Sequence, residues 1–435
     1  MMRPIEPFMT EFLTGTYKNL TIEQVTRQVY PVWTYSSLVL LIPVLLLTDF
    51  LRYKPVIIIQ GLTYVTAFLL VIFGSGVHAV QLAFFSYSIA TAADVAYFSY
   101  IYTVVHASYY QRVTSYVSGA ILLGYAVGAV LAQLLVSLGG VSLYCLAFVT
   151  VISVSVALIT SFFLPMPQNS LFVNGSYYAQ QRNSGEDAHD SESQDCYSKV
   201  ESLMAAKHVG RMFRRLILDC KKCYSSVAVL FFCIWAATGR CGFYQVVGYV
   251  QLLWVHIQPH NFTACNGGVD AISTLSGAAA TVAVGHVSLE WSLWGELILG
   301  GFTLLIAGAL FLMDMTDNIW ISYACYILFK TFYMQLTTIC TFQIAKALNR
   351  KCYALVFGMN SFAGTVLQSV LTAIVINTKS LQLTITSQFF IYASYFAAIS
   401  LLFTVRGVYT VLHMKRPAAG NRAERATDLP EGSRP

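Results

Sequence analysis

Charge is what this chain lacks. Only 11% of its 435 residues are Asp, Glu, Lys or Arg, against about 25% in an average soluble domain. That shortage argues against an ordinary water-facing globule, and against a disordered chain, which stays unfolded by being polar and charged. The net charge of +6 is modest, and its bases fall between apolar runs rather than along a stripe, so no nucleic-acid partner is expected. A cysteine framework is missing too. Most of the ten cysteines lie inside apolar runs, among them Cys145, Cys233, Cys241, Cys325 and Cys340, where cysteine behaves as a small buried hydrophobe. The close pair Cys220 and Cys223, in "CKKC", has no second pair at zinc-site spacing. No HExxH, paired-aspartate GxGD-like motif or GxSxG elbow occurs, so neither an enzyme nor a metal or cofactor site is expected.

What fills the chain is oil. Residues of hydrophobic type make up 57% of it, and its mean hydropathy is +0.63. Crossing a bilayer takes about 20 apolar residues. That ruler marks spans near 31–50, 55–73, 80–105, 114–137 and 142–164, then 227–256, 267–287, 291–313, 319–345, 353–376 and 388–412. The lipid bilayer is therefore the surrounding medium. The stretch 165–226, with "NGSYYAQQRNSGEDAHDSESQDC", is too poor in apolar residues to fold alone and reads as a disordered linker. The segment 413–435 reads as a second polar tail. The sequence thus divides into an N-terminal bundle (1–164), a linker (165–226), a C-terminal bundle (227–412) and a tail.

Lys and Arg near the span ends set orientation. Arg52, Lys54, Arg112, the bases of the linker, Lys346, Arg350, Lys351 and the basic tail fall on one side, which is expected to be cytoplasmic together with the C-terminus. The sequons at Asn19 and Asn261 fall outside, where glycosylation is expected, and that at Asn174 falls inside. The opening "MMRPIEPFMTEFL" is too short and polar to span, and reads as the outer end of a truncated first helix. No signal peptide stands in its place.

Inside this oil one acid stands out: Asp94, in "IATAADVAYFSYIYTVV". A charge at bilayer depth costs a few kcal/mol or more, and such residues usually face a cavity or an opposite charge. Phe84, Tyr87, Thr91, Asp94, Phe98 and Ile101 recur at helical spacing and share a face, either a packing stripe or the wall of a wet cavity. Tyr97 is a further cavity residue on this span. Two readings of Asp94 stand: a carboxylate that receives a cationic guest, or one that neutralises Arg240 or Lys330, both inside spans.

The arrangement of five-plus-one spans, a polar loop and six more resembles the major facilitator superfamily, and "LLTDFLRYKP" (46–55) resembles its loop motif. More closely, the chain resembles the vitamin-carrier family of thiamine transporters and reduced folate carriers. The matching stretches are "RPIEPF" (3–8), "YPVWTYSSLVLLIPV" (30–44), "LTDFLRYKPVIIIQG" (47–61), "AADVAYFSYIYTVV" (92–105), "YQRVTSY" (110–116), "VLAQLLVSL" (130–138), "CNGGVDAIST" (265–274), "TFQIA" (341–345) and "YALVFGMNSF" (353–362). The resemblance implies an all-helical fold of two six-helix bundles and carriage of a small vitamin by alternating access in the plasma membrane. Asp94, Gln368 and Glu296 match the thiamine branch, whereas the folate branch carries Arg and Lys at the first two positions. The favoured solute is thus thiamine or a related cation, with protons as a further partner. A carrier of folate or pyridoxine, or a transport-dead sensor or scaffold, is the alternative.

By the same resemblance Glu6, Trp33, Tyr87, Asp94, Asn266 and Glu296 are the expected solute-binding residues. Trp33 and Tyr35 also fit an interfacial aromatic belt, and Asp270 fits a carboxylate at a helix N-terminus. Two departures stand out. Phe84 replaces an acid usual in the family, and Arg240 stands where a small or hydroxyl residue is expected. Gly124 and Gly128, in "GYAVGAV", read as a small-residue packing pattern.

Overall fold

In the computed structural model the chain is helical throughout its described parts, which are residues 1–50, 54–104, 110–165, 227–258, 265–286, 291–347, 353–376 and 383–427. A short turn Glu6–Phe8 leads into α1 (Met9–Thr14), and α2 (Ile22–Gln24) opens into the wide turn Val25–Val29. The long helices of the first half follow: α3 (Tyr30–Phe50), α4 (Lys54–Phe73), α5 (Gly76–Val104), α6 (Tyr110–Ser137) and α7 (Leu143–Phe162). The second half comprises α8 (Val227–Ile257), α9 (Asn266–His286), α10 (Trp291–Met315), α11 (Ile319–Ala347), α12 (Tyr353–Val375) and α13 (Ile385–Thr427). Eight of these are long and apolar enough to cross a membrane. The expected linker and the sequons at Asn174 and Asn261 lie outside the described residues, as do the side chains of Tyr97, Phe98 and Ile101.

The helices form because runs of Leu, Ile, Val, Phe and Ala leave the backbone no polar partner in lipid except itself. Within the first half α5 packs on α3 and α4, and α4 on α7; within the second α10 packs on α13 and α9 on α11, with α8 against α11, α12 and α13. α13 runs on to Thr427, past the predicted end of the span near 412, through a stretch rich in the helix-favouring Ala, Arg and Glu. Asn19 sits exposed between α1 and α2, in the left-handed region at φ 51°.

The N-terminal segment is core rather than appendage. Ile5, Phe8, Phe12 and Leu13 have no exposed surface, which at roughly 1.5–3 kcal/mol per large side chain fixes residues 5–13 firmly. Gly124 and Gly128 of α6 make room for what precedes them: a Cβ on Gly128 would come within 3.1 Å of the Arg3 backbone nitrogen. The small-residue pattern of α6 therefore receives residues 1–3. Below, the face at which α7 ends and α8 begins is called the linker face.

Candidate solute site between the two halves

Two acids reach the space between the halves, each with a base behind it. Glu6 forms an ion pair with Arg3 at 2.8 Å, three residues earlier on the same turn. The Arg3 guanidinium lies 5.3, 5.7 and 4.9 Å from the ring centres of Tyr64, Tyr87 and Tyr125. It donates to the hydroxyls of Tyr87, at 2.6 Å, and of Tyr125, while the Tyr87 hydroxyl donates onward to Glu6 at 2.8 Å. In the second half Lys330 of α11 pairs with Asp270 of α9 at 2.6 Å and donates to Thr274 at 3.0 Å. The bases are nearly covered, with 7% and 9% of their side chains exposed, whereas Glu6 and Asp270 show 30% and 31%. What faces the cavity is therefore carboxylate oxygen, made bearable in a dry interior by the cation tucked behind it.

Around these acids lies a cavity of about 230 Å³, lined from both halves. Trp33 of α3 meets Tyr87 edge-on at 6.4 Å and Tyr244 of α8 edge-on at 5.9 Å. Tyr30 touches Phe84 at 5.5 Å and Tyr249 at 5.8 Å. Flat rings therefore bound much of the space, as in small-molecule sites where a few polar groups orient an apolar body. Three donors at its wall have no partner within the protein: Trp33 Nε1, Asn266 Nδ2 and the Tyr249 hydroxyl. Unpaired buried donors are uncommon and call for a specific reason, and these three all border the cavity. Asn266 is turned by the Tyr323 hydroxyl, which donates to its Oδ1 at 2.6 Å.

Of the expected solute-binding residues, Glu6, Trp33, Tyr87 and Asn266 line this cavity, together with Phe84, Asp270 and Gln368. Gln368 donates to the Thr34 hydroxyl at 3.4 Å, joining α12 to α3. Glu296 lies elsewhere. It is buried between α10 and α13, 3.4 Å from Arg406, and accepts a hydrogen bond from Thr410. Asp94 is also outside the lining. It accepts from Gln60 of α4, is solvent-exposed, and belongs to none of the four ion pairs among the described residues. Seven residues separate it from Tyr87, about 10 Å along α5 toward the linker face. Arg240 is half-buried on α8, one turn from Tyr244 and over its ring at 4.9 Å, and does not line the cavity.

Arg3, Tyr64, Tyr125 and Tyr244 belong to this site or its support and carry no mark in the sequence reading. For Arg3 a signal exists: it stands three residues before Glu6, a spacing that puts both on one side of a helical turn.

Two interlocking halves of long apolar helices around a shared central cavity define a membrane solute carrier. The fold is that of the major facilitator transporters: a POT family transporter crystallised with a thioalcohol-conjugated peptide matches at a TM-score of 0.64 and 10% identity, covering 94% of this chain and 93% of that one. The family profile for the reduced folate carrier matches residues 1–391, and the chain belongs to that family of vitamin transporters. Thiamine transporter 1 of Homo sapiens is 45% identical over 94% of this chain and 87% of its own. Thiamine transporter 2 of Macaca fascicularis is 44% identical over 95% and 88%, and the reduced folate transporter of Homo sapiens 36% over 92% and 69%. The protein is thus a multi-pass membrane transporter and not an enzyme.

Proposed function

We propose that this transporter carries thiamine, or a closely similar flat cationic vitamin, across the plasma membrane by alternating access. The observation that supports the reading most directly is the pair of base-backed carboxylates, Glu6 and Asp270, presented to an aromatic cavity between the halves. A flat ring stacks against Trp33, Tyr87 and Tyr244, a positive ring is attracted to their faces, and the carboxylates complement its charge. Asn266 Nδ2 and Trp33 Nε1 are donors for ring nitrogens or a hydroxyl. The stronger identity to thiamine transporters than to the folate transporter points the same way.

In this reading the linker face is cytoplasmic, because the bases of the chain's loops concentrate there, and the exposed Asn19 faces outward, open to glycosylation. The four hydrogen bonds between the halves all lie toward the outer face among the described residues: Thr10 to Gln251, Gln251 to Glu6, Gly268 to Gln133 and Gln368 to Thr34. These contacts support reading this as a state closed on the outside. The test is uptake of labelled thiamine by cells lacking endogenous thiamine carriers. Saturable uptake competed by unlabelled thiamine is expected; surface-expressed protein with no uptake above the parental line refutes the assignment.

A further inference from the structure

One side chain of the second half is bonded twice to the first. Gln251 of α8 donates from Nε2 to the backbone carbonyl of Glu6 at 2.9 Å and accepts at Oε1 from the backbone N–H of Thr10 at 3.1 Å. Those two backbone groups are four residues apart, the acceptor and donor that a continuous α-helix joins to each other. The helix is not continuous here. Pro7 has no N–H to give, Phe8 leaves helical geometry at φ −115° and ψ 12°, and the Glu6 carbonyl takes the N–H of Met9, three residues on. The Gln251 amide, reaching in from the other half, fills the gap in the ladder, and a side chain inserted there is a recognised cause of a sharp break. Thr10 has no exposed surface, so water is no alternative partner for its N–H.

We propose that Gln251 is the clasp of the outer gate and a positioning residue for Glu6. With the gate closed, its amide holds both ends of the break against α8. It thereby fixes the residue whose carboxylate faces the cavity, since Glu6 is bonded to Gln251 through its carbonyl and to Arg3 and Tyr87 through its side chain. When the halves part at this face, Gln251 withdraws with α8, and the Thr10 N–H and the Glu6 carbonyl pair with each other. Opening thus leaves both backbone groups paired, and the turn that carries Glu6 changes as the gate parts. The closed state is favoured by the two amide hydrogen bonds net of the one that replaces them. The inference rests on the alternating-access reading but not on the identity of the solute.

Loss of the amide should open the outer gate. Val247 lines the cavity one turn deeper along α8 than Gln251, so Val247→Cys is reached from outside only past the clasp. It is labelled in intact cells, without solute, by a membrane-impermeant maleimide in a background with Cys145→Ser and Cys265→Ser, and the rate is normalised to surface protein. Gln251→Leu, of similar bulk but with neither donor nor acceptor, is expected to label about fivefold faster than the parent, the effect of one net hydrogen bond. Gln251→Met is expected to do the same and stands in if the Leu variant does not reach the surface. In thiamine uptake both variants are expected to lower the maximal rate with KM unchanged or reduced, because binding from outside begins with the clasp already parted. Labelling no faster than the parent in both variants overturns the proposal. A raised KM at the parental labelling rate overturns it as well, since Gln251 is then a solute contact. A parent that labels normally yet carries no thiamine sinks the solute assignment alone.

Discussion

Replacing Glu6 by Gln separates what the carboxylate does for the fold from what it does for the solute. Gln keeps an acceptor for Tyr87 and removes only the charge, leaving Arg3 with 7% of its side chain exposed and no anion at 2.8 Å. Removing one partner of a buried pair costs about 3–5 kcal/mol. Three tyrosine faces remain around the guanidinium, each worth roughly 0.5–2 kcal/mol to a cation, and Glu6 itself is 30% exposed. The expected loss is therefore at or just below the bottom of that range, about 2–3 kcal/mol, read by unfolding of the purified protein in detergent. The double variant Arg3→Met with Glu6→Gln removes both charges and should regain all but about 1 kcal/mol of stability, since an unpaired charge no longer remains buried. Uptake should be strongly reduced in both, because each leaves Asp270 as the one carboxylate that lines the cavity among the described residues. A single variant destabilised by less than about 0.5 kcal/mol, or a double variant with wild-type uptake, refutes the reasoning.

Phe84→Glu should raise thiamine affinity several-fold, seen as a lower KM, because it adds an acceptor to a wall that Phe84 only lines; an unchanged KM would show that this wall does not touch the solute. Glu296→Gln should cost about 3 kcal/mol by stranding Arg406 while leaving KM alone, since the pair is remote from the cavity; a raised KM at normal surface levels contradicts its placement. Lys330→Met should weaken uptake through Asp270, which then faces the cavity without its cation, and Lys330→Met with Asp270→Asn should recover stability but not affinity. Gly128→Ala should depress uptake by pushing on the Arg3 backbone; wild-type uptake by this variant would mean that the N-terminal segment adjusts freely.

The helices were legible because lipid is an unforgiving solvent. Eleven predicted spans correspond to α3 through α13, with starts and ends displaced by only a few residues apart from the extension of α13. Hydropathy says where a helix must be and nothing about which side meets which neighbour. Trp33 shows the limit: near a span end, it fits an interfacial belt, and only the folded arrangement puts its ring on Tyr87 of α5 and Tyr244 of α8. Glu296 shows the reverse. As an intramembrane acid it looks functional, yet its counter-charge lies 110 residues on, at Arg406, a pairing that no local pattern announces. Arg3 was hidden for a different reason. Its partners are three tyrosines from three helices, brought together by residues 1–3 lying against Gly124 and Gly128.

One rule covers three of the partly or fully buried acids. Glu6, Asp270 and Glu296 each have a cation within 3.4 Å, and each sits where both states of a rocking carrier can keep it paired, since both partners belong to one half. Asp94 belongs to no ion pair among the described residues and accepts instead from Gln60 of α4, in its own half. A charge paired within a half is indifferent to the motion between halves. The acid that the sequence singles out as misplaced is thus held not by a base but by a neutral amide one helix away.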